Sequence, residues 1–238
     1  MGRQTGVKFI GTMDGVIYYI WKGIYCMRSM PGFFNQTAAT QETASVLGRA
    51  SNQGKLLRMG LEPLLPNPKL SSMQKRLQTA IQYIINMQEG HKMEEPEETG
   101  RLETFVFNKK ARCNNLFSKM ISATYIPGMG VGIDIQAFNP AGKFRYPGSI
   151  HKLRFILAAV VVNTRKKELA DTCYIQAEID YANKELAAMH FDLPVATGKG
   201  CLVTATAAVQ FCATGKGENE YIKNARYLPM INAGAWTL

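Results

Sequence analysis

The reading of the fold turns on Phe155-Ile-Leu-Ala-Ala-Val-Val-Val162, the centre of the candidate strand His151–Asn163. It is the longest unbroken apolar run in the chain. A transmembrane helix needs roughly 18 such residues, so the run is strand-sized. Cys201–Cys212 has the same character. Around these two, the chain from Arg101 onward reads as a series of short strands: Leu102–Phe107, Phe117–Ile126, Gly132–Phe138, His151–Asn163, Thr172–Asp180, Leu186–Asp192, Cys201–Cys212 and Tyr221–Tyr227. Turn signals separate them: Pro127-Gly128, Asn139-Pro140-Ala-Gly142, Pro147-Gly148 and two copies of Thr-Gly-Lys-Gly. Many short strands at this spacing point to a β-sandwich or barrel. Asp180–Met189 fits a short helix as an alternative.

Upstream, the pattern changes twice. Val7–Met13, a turn at Asp14-Gly15, the β-branched and aromatic Gly15–Trp21, a turn at Lys22-Gly23 and Ile24–Arg28 read as a hairpin or meander. Its Tyr18, Trp21 and Tyr25 are more aromatic surface than a two-stranded ribbon buries alone, so it must dock on its own domain or on a neighbour. Pro31-Gly32 ends it. A helix is expected from about Asn35 or Thr37 to about Gly60, with small inward positions Ala44, Leu47, Ala50, Ser51 and Gly54. Pro63-Leu-Leu-Pro66-Asn-Pro68 is a stiff break. A second helix starts at the capping pattern Ser71-Ser-Met-Gln74, carries Met73, Leu77, Ala80, Ile81 and Ile84 at helical spacing, and stops near Gly90. The segment from His91 to Gly100, with Glu94-Glu-Pro-Glu-Glu98, reads as a solvated connector. The expected fold class is therefore mainly β with a helical segment (α+β): an N-terminal β-hairpin, two helices, then an antiparallel β-sandwich. Residues 1–100 form the hairpin and helical arm, and 101–238 the sandwich-like domain.

Bulk properties narrow the class. The 238 residues are 46% hydrophobic and 19% charged with 21 glycines, a globular composition rather than a disordered one. Cys26, Cys113, Cys173, Cys201 and Cys212 are an odd, scattered set. The N-terminus has no apolar segment of the signal-peptide kind, and Gly6 stands where a myristoylation motif has Ser or Thr. Cytoplasmic synthesis without a signal peptide, reduced thiols and no membrane span are expected. The net charge is +10, and residues 1–93 hold 11 Lys/Arg against four Asp/Glu. Such a balance suits nucleic acid, an acidic partner or plain solubility.

Motifs for chemistry were tested individually. Ala196-Thr-Gly-Lys-Gly200 and Ala213-Thr-Gly-Lys-Gly217 superficially resemble phosphate loops. A Walker loop requires a glycine six positions before the lysine and Ser or Thr after it. Here Leu193 and Gln210 occupy the first place, and Gly200 and Gly217 the second. Gly128-Met-Gly130-Val-Gly132 lacks dinucleotide spacing and leads into a strand. The three histidines show no zinc spacing, and there is no Gly-x-Ser-x-Gly elbow. No catalytic residue, metal ligand or cofactor is predicted. Asn108-Lys-Lys-Ala-Arg112, followed by Asn114-Asn115, could grip phosphates. Arg165-Lys166-Lys167 reads as a hairpin tip.

Gly15, Tyr18, Trp21-Lys22-Gly23, Arg28, Pro31, Asn35-Gln36-Thr37 and Gln41 carry a resemblance. The N-terminus resembles uncharacterised bacterial and phage-associated proteins that open with a glycine-rich aromatic hairpin ending in Gly-x-x-x-x-Arg. The stretches LAAVVVNT and AVQFCATGKGENEYIKNARY resemble the β-sandwich half of a family of unknown function. The resemblance implies a non-enzymatic part of a virion-like or surface assembly. The functional expectation is a self-assembling structural protein, a homo-oligomer, filament or virion component, with Tyr18, Tyr19, Trp21, Tyr25 and Arg28 at the interface between copies. The alternative expectation is a basic nucleic-acid-binding protein using Lys75, Arg76, Lys109, Lys110 and Arg112.

Overall fold

A computed structural model describes residues 2–3, 9–32, 36–64, 71–90, 100–144, 150–182, 184–213, 220–222, 226 and 228–238. The acidic run Glu94–Glu98, most of the Pro63–Pro68 break, Pro147-Gly148, and the second Thr-Gly-Lys-Gly lie outside them. The chain divides into two compact units, Met1–Glu42 and Thr43–Leu238.

The first unit holds a four-stranded antiparallel sheet of β1 (Gly2–Arg3), β2 (Gly11–Met13), β3 (Val16–Trp21) and β4 (Ile24–Ser29), ordered β1-β4-β3-β2. Both tight turns use the pairs that the sequence singled out. Asp14 and Gly15 have φ of 48° and 75°, and Lys22 and Gly23 have 51° and 79°. Positive φ at both central residues is the two-residue hairpin geometry whose twist matches its strands. After the sheet, Thr37 starts α1 (Ala38–Gly60): its hydroxyl accepts from the Thr40 amide at 3.2 Å and its carbonyl from Gln41 N at 3.0 Å.

The second unit is layered. α1 is followed by a 3₁₀ turn (Glu62–Leu64) and α2 (Ser71–Gly90), then two short helices, α3 (Gly100–Glu103) and α4 (Asn114–Met120). The strands are β5 (Ile121–Ile126), β6 (Gly130–Ile135), β7 (Ile150–Asn163), β8 (Glu168–Asp180), β9 (Met189–Leu193), β10 (Cys201–Ala213), β11 (Glu220–Tyr221) and β12 (Met230–Thr237), with α5 (Pro140–Lys143) between β6 and β7. The larger sheet runs β11-β10-β7-β8 with β12 also on β10, and the smaller runs β5-β6-β9. All pairings are antiparallel.

The apolar run in β7 has a direct cause in this layering. Ile156, Ala158, Val160 and Val162 pack with Leu57, Leu77 and Ile81 of α1 and α2. Leu153, Phe155, Leu157, Ala159 and Val161 pack with Ile133 and Ile135 of the smaller sheet. A strand covered on both faces reads as a continuous apolar run instead of an alternating one. β10 repeats the arrangement, with Val203, Ala205, Ala207 and Val209 toward the small sheet and Leu202 and Ala208 toward the helices. The two sheets form the sandwich-like part, and the helices add a third layer on the outer face of the large sheet. They share a core with the sheets, whereas the sequence reading grouped residues 1–100 apart from them.

Four local differences have physical reasons. Leu102–Phe107 is not a strand: α3 and one bridge, Val106 to Ile231, let Leu102, Phe105 and Phe107 all reach the helix-side core. The first part of Phe117–Ile126 is the end of α4, because Phe117, Met120 and Ile121 bury at helical spacing. Among the inward positions expected in α1, Ala50 and Gly54 are buried, but Ala44, Leu47 and Ser51 are exposed; Val46, Leu56 and Leu57 take the core instead. β12 was not foreseen. Its Met-Ile-Asn-Ala-Gly-Ala-Trp-Thr has few strand formers, and Gly234 is there because a Cβ would meet the Trp236 ring at 2.3 Å. The described part of Asp180–Met189 contains no helix.

The described glycine-rich near-misses lie at a turn and at a strand end. Gly130 has φ of 125°, and a Cβ there would sit 2.3 Å from the Leu193 carbonyl oxygen, so it lets β6 lie close to β9. At the first Thr-Gly-Lys-Gly, the Gly200 carbonyl accepts from Thr164 N at 2.9 Å and from its hydroxyl at 2.8 Å. Arg165-Lys166-Lys167 is the β7–β8 turn, with Asn163 Oδ1 accepting from two of its amides.

Candidate functional site

Two regions gather the residues that the sequence put forward. The first is the N-terminal sheet. Cross-strand pairs Tyr18–Met27, Ile20–Tyr25, Tyr19–Cys26, Trp21–Ile24 and Ile17–Arg28 sort the side chains by face. Tyr18, Ile20, Tyr25 and Met27 share one face; Ile17, Tyr19, Trp21, Ile24, Cys26 and Arg28 share the other. Both faces are therefore apolar and aromatic. Phe9 meets Tyr18 edge-on at 5.4 Å, Arg28 lies 5.7 Å from the Tyr19 ring, and Lys22 lies 4.8 Å from Trp21. Tyr18, Tyr19 and Tyr25 are half-buried, whereas Trp21 is 57% exposed, and Arg28 is exposed too.

The exposed large apolar residues are concentrated here. Phe9, Ile10, Met13, Ile20, Trp21, Ile24 and Met30 are seven of the twelve among the described residues, within 22 positions. Ile20 lies on one face of the sheet and Trp21 and Ile24 on the other, so exposed apolar side chains occur on both faces.

The second region is an open groove of about 500 Å³ between α2, α3 and the loop that follows. Its cations are Lys75, Arg76, Arg101 and Lys109, and among the described residues no Asp or Glu lines it. Three of these were among the five basic residues singled out in the sequence; Lys110 and Arg112 are exposed further along the same loop but do not line it. Arg76 is the strut of the site. Its Nη1 donates to the Val106 carbonyl at 2.7 Å and its Nη2 to the Phe107 carbonyl at 2.9 Å. The guanidinium lies 5.1 Å from the Phe105 ring, and its Nε is buried with no hydrogen-bond partner. Burial pushes the Arg76 pKa down, yet a guanidinium keeps its charge. That charge is held by carbonyl dipoles and not by a carboxylate.

Asn108, expected to touch phosphates, instead anchors the loop. It is buried, its Nδ2 donates to the Leu228 carbonyl at 2.8 Å, and its own carbonyl accepts from Asn114 Nδ2 at 2.7 Å. This leaves Lys109 and Lys110 exposed at the turn. Arg101 was not singled out: it lies at the head of α3, just after the acidic connector, with its guanidinium 4.2 Å from the Tyr83 ring. The signal for it was only charge, without spacing.

Two other polar clusters have defined contacts. Cys212 and His151 approach to 3.7 Å, but the thiol is fully buried and burial pushes its pKa up, opposite to what a nucleophilic thiolate requires. Glu178 accepts from Tyr221 and from Arg154 (2.7 Å), which hold its carboxyl down at about 2, while burial and then Glu178 push Tyr221 up to about 12. The five cysteines are all free. Among the described residues, no group of His, Cys, Asp and Glu is arranged to hold a metal ion, and no helix is long and apolar enough to cross a membrane. Compared with protein families, curated proteins and solved structures, the chain matches none.

Proposed function

We propose that this chain is a non-enzymatic structural protein that assembles with copies of itself through its N-terminal sheet and a sheet edge. The observation that carries the reading is the two-faced apolar sheet of the first unit, centred on the exposed Trp21–Ile24 pair. A sheet this small cannot cover both of its own faces, and water-exposed aromatic surface on both sides favours burial against another chain. Identical chains are the commonest partners in soluble assemblies.

A complementary surface is present on the same chain. β8 ends the strand order of the large sheet, and among the described strands only β7 pairs with it. Its sequence Glu-Leu-Ala-Asp-Thr-Cys-Tyr-Ile-Gln-Ala-Glu-Ile-Asp has four acids and no base. An unpaired strand edge is a template for pairing with another chain. Glu168 and Glu178 already pair with Lys166 and Arg154, and the charges of Asp171 and Asp180 complement Lys22 and Arg28 of the N-terminal sheet, which favours a defined orientation on encounter.

The test is light scattering on the full chain and on Trp21→Thr/Ile24→Thr, which removes apolar surface but keeps β propensity. The full chain is expected to scatter above the 26.4 kDa of a single copy. Losing a buried aromatic anchor costs roughly 2 kcal/mol or more, about 30-fold in dissociation constant. The variant is therefore expected to fall toward single-copy mass. A full chain that stays at 26.4 kDa at every concentration would remove the reading.

A further inference from the structure

We propose that the groove between α2, α3 and the 108–112 loop binds the phosphodiester backbone of a single nucleic-acid strand. This does not rest on the assembly reading. Lys75, Arg76, Arg101 and Lys109 converge on one open groove, and none of its described lining residues is a carboxylate. Four like charges grouped around one groove raise the local potential and attract an anion. The cations are also not interchangeable in role. Arg76 is locked to the Val106 and Phe107 carbonyls and fixes the wall of the groove, while its buried Nε has no partner. Lys75, Arg101 and Lys109 are exposed and carry the donors that reach a ligand.

The length of the cationic track favours a polymer over a small phosphate compound. Lys110 and Arg112 continue it beyond the groove on the loop that Asn108 and Asn114 pin from below. A mononucleotide would leave that extension unused. The aromatic rings at the site are already occupied: Arg76 faces Phe105 and Arg101 faces Tyr83. Bases therefore stack on neither of these rings, and binding rests on phosphate contacts, which give affinity with little sequence preference.

The experiment is fluorescence anisotropy of a labelled single-stranded oligonucleotide with the full chain across a salt series. Five phosphate contacts to a single strand, from Lys75, Arg101, Lys109, Lys110 and Arg112, give a slope of about −3.5 in log affinity against log salt, so affinity falls about 130-fold between 50 and 200 mM. Arg101→Gln/Lys109→Gln removes two exposed contacts without touching Arg76. Its affinity is expected to fall only about 18-fold over the same range. Lys166→Gln/Lys167→Gln, which removes the same charge at the β7–β8 turn, is expected to keep the wild-type slope. Thermal unfolding of each variant at the wild-type temperature secures the comparison. The proposal is overturned by a groove variant with the wild-type slope, by a turn variant that loses as much as the groove variant, or by absent or salt-insensitive binding. Inorganic pyrophosphate that binds as tightly as the oligonucleotide would also overturn it, in favour of a small-ligand site.

Discussion

Replacing glycine with alanine at three places in α1 should give effects of different sign, because the helix meets different surroundings along its length. At Gly48 an added Cβ meets nothing within 4 Å. Alanine there gains only helix propensity, about 0.5–1 kcal/mol. At Gly54 the nearest atoms are Ile81 Cδ1 at 3.5 Å and Leu77 at 4.0 Å, ordinary contact with α2. The methyl should keep the propensity gain and add a little packing. At Gly60 it would lie 2.5 Å from Val160 Cγ1 and 3.2 Å from Leu169 Cδ1. Val160 is fully buried in the centre of β7, so it has nowhere to go. Overpacking costs about 1–3 kcal/mol. The propensity gain at a last-turn position offsets only part of that, leaving a net loss of about 1–2 kcal/mol. Lifting the end of α1 would also strain the bond from the Tyr174 hydroxyl to the Gly60 carbonyl. In thermal unfolding, 1 kcal/mol corresponds to about 2–4 °C for a chain of this size. Gly48→Ala should therefore melt up to about 4 °C higher, and Gly60→Ala about 2–8 °C lower. If Gly60→Ala is as stable as Gly48→Ala, the helical layer does not rest on β7 as described.

Two further outcomes follow from polar contacts. His190 Nδ1 lies 2.6 Å from Asp134 Oδ1 and its Nε2 lies 3.0 Å from Asp192 Oδ1; Asp134 first and Asp192 second raise its pKa above the ordinary 6.5. Its stabilising contribution should be full below about pH 6.5 and vanish as pH rises through the raised value, so an NMR titration should place His190 above an unfolded reference and Asp134→Asn should lower it; a midpoint at or below the reference contradicts the clamp. Asn232 is buried, accepts from the Thr206 hydroxyl at 3.0 Å and donates to the Leu102 carbonyl at 2.7 Å. Asn232→Ala strands both partners and should cost roughly 2–4 kcal/mol in urea unfolding, with Thr206→Val costing less when added to it than alone; additive losses would show that the two side chains do not act as a pair.

What was legible in the sequence depended on how local the signal was. The Asp14-Gly15 and Lys22-Gly23 turns specify their own backbone, and α2 carries its core stripe in one continuous segment, so both could be read directly. The run Phe155–Val162 identified β7 as a strand but not its two covers, because the residues that cover it, such as Leu57 and Ile133, are distant in sequence. β12 is hidden for a related reason: it is held as a strand by pairing with the distant β10, and Gly234 makes room for the Trp236 ring, so neither reflects an intrinsic strand preference. In the groove, Lys75, Arg76 and Lys109 could be picked out by charge. That Arg76 is a strut and Arg101 a wall residue depends on α3 docking beside α2, which no spacing rule encodes.

The central claim, that the N-terminal sheet is a contact surface between copies, is tested most directly by amide hydrogen exchange of the full chain at two well-separated protein concentrations. Assembly through this sheet predicts that amides of Val16–Trp21 and Ile24–Ser29 gain protection at the higher concentration, while those of β7 and β10, buried within one copy, stay unchanged. Exchange in β3 and β4 that does not depend on concentration would contradict it.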